Sequence, residues 1–111
     1  MAIYKEREKN IEIIFPINDL DALTGEEVAL HIKNISDEID AVIINCSRIN
    51  YLNSSGLREL IQILKYLKDR NKKFAITALN NNILKIFKNT NLIRLFDIYD
   101  NDSEAKRNLL L

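Results

Sequence analysis

Ala41-Val42-Ile43-Ile44 is a short apolar run without polar alternation, bounded by Asp40 and by Asn45-Cys46-Ser47. A run this brief and uniform suits a strand covered on both faces, and so one near the middle of a sheet. A second such run, Phe74 to Leu79, follows a stretch from about Ser54 to Arg70 in which Leu57, Leu60, Ile61, Leu64 and Leu67 recur at helical spacing. Asp69-Arg70-Asn71-Lys72-Lys73 is the polar stop between them. Two buried strands joined by a helix pair in parallel through a crossover, right-handed by the twist of the chain. This unit commits the chain to an α/β architecture.

The flanking segments fill out that frame. Ile11, Ile13 and Phe15 alternate with Glu12 before Pro16, the pattern of a strand exposed on one face and paired with Ala2 to Arg7 through the turn Glu8 to Asn10. Thr24 is placed to cap a helix, with Glu27 reaching back to it, and Val28, Ile32, Ile35 and Ile39 form the buried stripe. The mostly polar residues after Ile44 read as a loop, and Asn80, Asn81 and Asn82 as a turn. Ile83, Leu84 and Phe87 mark a short helix, Leu95 to Tyr99 an edge strand, and Ser103 to Leu110 a last helix capped by Ser103. The expected fold is an open mixed sheet of roughly four to five strands, with about four helices packed mainly on one face, residues 1–111 making a single domain.

Composition narrows the function. Sixteen Lys plus Arg balance sixteen Asp plus Glu, which gives no footprint of a nucleic-acid or membrane-surface binder. A single cysteine allows neither an internal disulfide nor a thiolate-built metal site. MAIYKEREKN turns charged too early for a signal peptide, and no later apolar run approaches the ~20 residues of a membrane span. A soluble, unprocessed, cytoplasmic protein with no metal or cofactor is expected.

Catalytic patterns are sparse. His31 is the lone histidine, far in sequence from Cys46, and no G-x-S-x-G turn or glycine-rich phosphate loop accompanies either. His31 reads as a surface or flanking helix residue and Cys46 as a small buried hydrophobe. A phospho-accepting receiver would need an aspartate where Asn45-Cys46-Ser47 stands. Without an acid, base and nucleophile set, a non-enzyme is expected.

One segment does stand apart: Tyr51-Leu52-Asn53-Ser54-Ser55-Gly56-Leu57-Arg58-Glu59-Leu60, where a loop enters the long helix. Asn53 and Ser54 are both favoured caps for the unpaired N–H groups of a first turn. Gly56 is not explained by capping, because glycine there costs up to about 1 kcal/mol against alanine. It leaves room for another backbone, or a phosphate, to come close.

These residues resemble the STAS domain, specifically bacterial anti-anti-sigma factors, also called anti-sigma factor antagonists. Asn18-Asp19-Leu20-Asp21-Ala22-Leu23-Thr24 is similar to the family's G-x-L-D-A-x-[ST] segment, and Ala41 to Ser47 to its V-x-L-D-L-S strand. Ile49 to Leu57 is similar to the V-x-F-[IM]-D-S-S-G-L signature, and Thr90 to Phe96 to a late T-G-L-x-x-x-F stretch. Asn53 and Asn45 stand where Asp is common, Asn18 and Asn91 where Gly is usual, and Arg58 where another Gly often follows.

The resemblance implies a STAS fold and a partner that is both anti-sigma factor and serine kinase. By position, Ser54 is the phosphoacceptor, with Ser55 the alternative. The unphosphorylated protein would hold the anti-sigma factor and release a sigma factor; phosphorylation would end the complex and a phosphatase would reset it. Partner contact is expected at Asp19, Asp21, Thr24, Asn53, Ser54, Ser55, Gly56 and Arg58, by a monomer or weak dimer. A phosphate adds about −1.5 to −2 charges, which repel an acidic surface and are costly to desolvate at an interface. Arg58 either faces solvent or pairs with that phosphate. The other role open to such a domain is a structural STAS subunit of a stress-sensing complex or lipid-transport apparatus, with no serine switch.

Overall fold

A computed structural model describes residues 3–109; Ala2 and Leu110, expected in the first strand and last helix, lie outside the described residues. The order is β1 (Ile3–Glu8), β2 (Ile11–Pro16), β3 (Asn18–Leu20), α1 (Ala22–Ile35), β4 (Ala41–Asn45), β5 (Ile49–Leu52), α2 (Ser54–Asp69), β6 (Lys73–Thr77), α3 (Asn81–Asn89), β7 (Ile98–Tyr99) and α4 (Asp102–Leu109). One sheet runs β1-β2-β4-β6-β7, and β3 pairs with β5 in a separate ribbon. Only β1 is antiparallel; β2, β4, β6 and β7 run parallel, with Ile43 opposite Ile13 and Ala75. The mixed sheet, the central β4 and the β4-α2-β6 crossover are therefore as the apolar runs dictate.

The main core lies between the sheet and α1 to α3, where Val28, Ile32, Leu57, Leu60, Ile63, Leu67, Ile83 and Phe87 meet Ile14, Val42, Ile44 and Ile76. A smaller core lies on the opposite face, where Ala105 and Leu109 of α4 cover Ile11, Ile13, Phe15, Ile43 and Ala75. The reading of β2 as exposed on one face is corrected: α4 covers Ile11, Ile13 and Phe15, and α1 covers the opposite face, which carries Glu12 and Ile14. All six residues of β2 are buried, Glu12 included. Glu12 is tolerated there because Arg7 Nε lies 2.5 Å from one carboxylate oxygen and His31 Nε2 2.5 Å from the other. His31 is thus a tie between α1 and β2, more than a flanking residue.

Three further expectations shift. Asp21, not Thr24, caps α1: its Oδ1 accepts the Thr24 N–H at 3.0 Å, and Thr24 is buried in the first turn. Both types cap well, and the helix starts at the earlier one. That helix ends at Ile35, so Ile39 reaches the core from the extended residue after a short 3-10 turn. Asn101 Oδ1 accepts the Glu104 N–H, taking the role expected of Ser103, and Asn80 caps α3, which puts Asn81 and Asn82 inside a helix. The last strand shrinks to Ile98–Tyr99, because a 3-10 turn at Leu92–Arg94 precedes it.

Asn18 and Asn91 both have positive φ, 67° and 60°. Asparagine is the side chain that visits this region most readily after glycine, which explains how it stands at two positions where the resembled family uses glycine.

Candidate functional site

The segment read as a loop after β4 contains a strand. Ile49 and Leu52 of β5 are buried while Asn50 and Tyr51 face outward, and β5 pairs with β3 so that Tyr51 lies opposite Asp19 and Leu52 opposite Leu20. The ribbon brings the segment before α1 beside the segment before α2. Both helices begin where it ends.

Gly56 shows why. A Cβ there would strike the Leu20 carbonyl, its carbon 2.7 Å away, so the space that glycine vacates is filled by the backbone of β3. The Asn53 N–H also reaches the Leu20 carbonyl oxygen at 3.4 Å. Gly25 makes room between the helices: a Cβ there would meet Glu59 Cβ at 2.6 Å, so the Glu59 side chain of α2 occupies the space beside α1. The two glycines lock β3, α1 and α2 into one block.

On that block Asn53 Oδ1 accepts the Gly56 N–H at 2.8 Å and the Asn53 carbonyl accepts from Leu57. Ser54 is the first helical residue and is exposed; Ser55 is half-buried. No acidic side chain lies in the first turn of α2. Arg58 and Asp19 are exposed, and Asp21 is half-buried by its capping role. Of the residues expected at this face, all but Thr24 and Gly56 reach the surface; those two are buried and shape it from beneath. Leu23 and Tyr51, which are not among the contact residues the resemblance implies, are exposed and border it. The strand of Tyr51 has only four residues, buried at its ends and exposed in its middle, so no alternation marks which side chain faces out.

Cys46 is buried, and desolvation pushes its thiol up to about 12, which makes it a packing residue. Asn45 and Thr77 at the ends of β4 and β6 both donate to Asp102, so their polarity is spent within the fold. Among the described residues no group of three or more His, Cys, Asp or Glu is gathered for a metal, and no helix is long and apolar enough to cross a membrane.

The order and pairing of the elements are those of a STAS domain. The STAS domain model matches residues 2–105, and the chain belongs to that family. It is 26% identical over 106 residues to the anti-sigma-B factor antagonist of Listeria monocytogenes, covering 94% of this chain and 92% of that one. A Thermotoga maritima structure, taken to be that of an anti-sigma factor antagonist, superposes with TM-score 0.89 at 20% identity, covering 98% of this chain and 95% of that one. The Bacillus cell-fate determinant SpoIIAA in its phosphorylated form superposes with TM-score 0.75 at 17% identity, covering 99% and 100%.

Proposed function

We propose that this protein is an anti-sigma factor antagonist: it binds an anti-sigma factor that is also a serine kinase, frees a sigma factor, and is switched off by phosphorylation of Ser54. The observation that carries this reading is the exposed Ser54 hydroxyl at the first position of α2, behind the Asn53 cap and beside the half-buried Ser55. Kinases need an accessible hydroxyl, and exposure favours Ser54 over Ser55. Relatives named as anti-sigma factor antagonists support the same role. A phosphate at Ser54 is bulky and strongly hydrated, so a surface packed against it loses its fit without any refolding of the domain. In this reading residues 1–111 act as a single cytoplasmic domain, monomeric or weakly dimeric, and a phosphatase restores the hydroxyl.

The test is phosphate mapping after incubation with the purified kinase and ATP, together with binding of both forms. Phosphate at Ser54, loss of binding by the phosphorylated form, and persistent binding by Ser54→Ala are expected. Modification at Ser55, or at neither serine, refutes the assignment. One observation favours a second reading, a structural STAS subunit without a switch: the neutral Asn53 places no carboxylate beside Ser54. Stable incorporation into a larger assembly that is indifferent to Ser54→Ala would establish it.

A further inference from the structure

Helix α1 carries more apolar surface than the core uses. Val28 and Ile32 are buried, yet Leu23 and Leu30, two turns apart on one stripe, are 76% and 61% exposed. Glu26 is exposed on the same stripe, three residues after Leu23 and four before Leu30. Leu23 follows closely on Leu20, whose strand pairs with that of Tyr51, itself 53% exposed. Among the described residues nothing covers the outward face of α1, whose ridge sets Glu26 between two leucines and belongs to the block that presents Ser54.

Its charge narrows what can cover it. Between Pro16 and Lys33 the chain holds Asp19, Asp21, Glu26 and Glu27 and neither Lys nor Arg, although the whole chain is neutral. Two copies meeting through this face would set like charges opposite each other, which is unfavourable. A cationic surface with apolar sockets is complementary on both counts.

We propose that the outward face of α1, from Asp19 to Leu30, docks on a cationic face of the anti-sigma kinase that receives Leu23 and Leu30; the proposal rests on the reading of Ser54 above. Charge on this contact steers association, and the two leucines slow dissociation. Phosphate at Ser54 then acts through its bulk and its hydration, because charge alone would favour a cationic face.

The experiment is a rate measurement with the full chain and its purified anti-sigma kinase. The wild-type association rate is expected to fall about tenfold between about 0.05 and 0.3 M salt. Asp19→Lys with Glu26→Lys lowers the low-salt rate about tenfold and flattens its salt dependence. Leu23→Ser with Leu30→Ser raises the dissociation rate about tenfold, while Leu95→Ser, at another exposed leucine, changes neither rate. All these side chains are exposed, so the fold survives. Salt-independent association overturns the proposal, as does a leucine variant that leaves at the wild-type rate. A wild-type dimer in sedimentation that is lost in the same variants would assign the face to a second copy and also overturn it. Phosphate mapping on the same samples separates the two readings. Steered binding without phosphate at Ser54 sinks the switch and leaves the docking face; phosphorylation with unsteered binding sinks the docking face alone; no complex at all sinks both.

Discussion

Asn45 Nδ2 lies 3.0 Å from both carboxylate oxygens of Asp102, joining the end of the central strand to the start of α4 on the far side of the sheet. Thr77 Oγ1 donates to the same carboxylate at 2.6 Å, and Asn45 Oδ1 accepts the Ser47 N–H at 2.9 Å. The buried amide is satisfied at both ends. It also explains why an amide is needed at 45: Asp there would face a second carboxylate with no proton between them.

Asn45→Asp should therefore destabilise the fold by about 3 kcal/mol at neutral pH. Two carboxyls sharing one site raise a folded-state pKa. A raised pKa means that stability is retained at acid pH, below the unfolded carboxyl range, and lost as pH rises through the folded value. The variant should recover towards wild type on acidification, and Asp102→Asn should rescue it at neutral pH. Urea unfolding across pH checks both outcomes; a pH-independent loss would refute the shared-site account.

Gly56→Ala should cost about 2 to 3 kcal/mol even though alanine favours a helix by about 1 kcal/mol, because the new Cβ meets a backbone carbonyl that cannot swing away. Gly25→Ala should cost less than Gly56→Ala, since α1 and α2 can ease apart over Glu59. Thermal unfolding ranks the pair, and a stabilised Gly56→Ala protein would contradict the close approach of β3.

Positive φ at Asn18, Asn91 and Ala78 gives three substitutions with signs. Ala78→Gly should stabilise by about 1 kcal/mol, since its φ of 58° suits glycine far better than alanine. Asn18→Ala and Asn91→Ala should each lose about 1 kcal/mol, with the glycine variants close to wild type. Denaturant midpoints are sufficient to read these differences.

Cys46 should resist thiol reagents in the folded protein and react once denatured, because burial lifts its pKa from 9.0 to about 12. A thiol with a raised folded-state pKa contributes fully below its unfolded value and loses that contribution as pH climbs between the two. Wild type should thus lose stability across that alkaline window, and Cys46→Ala should show a shallower slope there. Equal slopes would assign the alkaline loss to other groups.

Much of this protein was legible in local pattern. The uniform run at Ala41 to Ile44, the stripe from Leu57 to Leu67 and the Asn53-Ser54-Ser55-Gly56 turn are set by neighbours in the chain, so periodicity and capping chemistry identify β4, α2 and the start of the site. What those patterns cannot carry is the identity of a distant partner. Glu12 reads as solvent-facing because alternation says nothing of Arg7 and His31, which arrive from other elements to hold its two carboxylate oxygens. The strand β5 exists because β3 lies beside it, and its four residues show no alternation that would set them apart from the loop around them. The sequence by itself determined β4, α2, the crossover between β4 and β6, and which serine leads α2. Only the tertiary structure decided that α4 covers the second face, that Leu20 fills the space left by Gly56, and that Leu23 and Leu30 remain uncovered, because burial depends on what packs across a surface and not on what lies next along the chain.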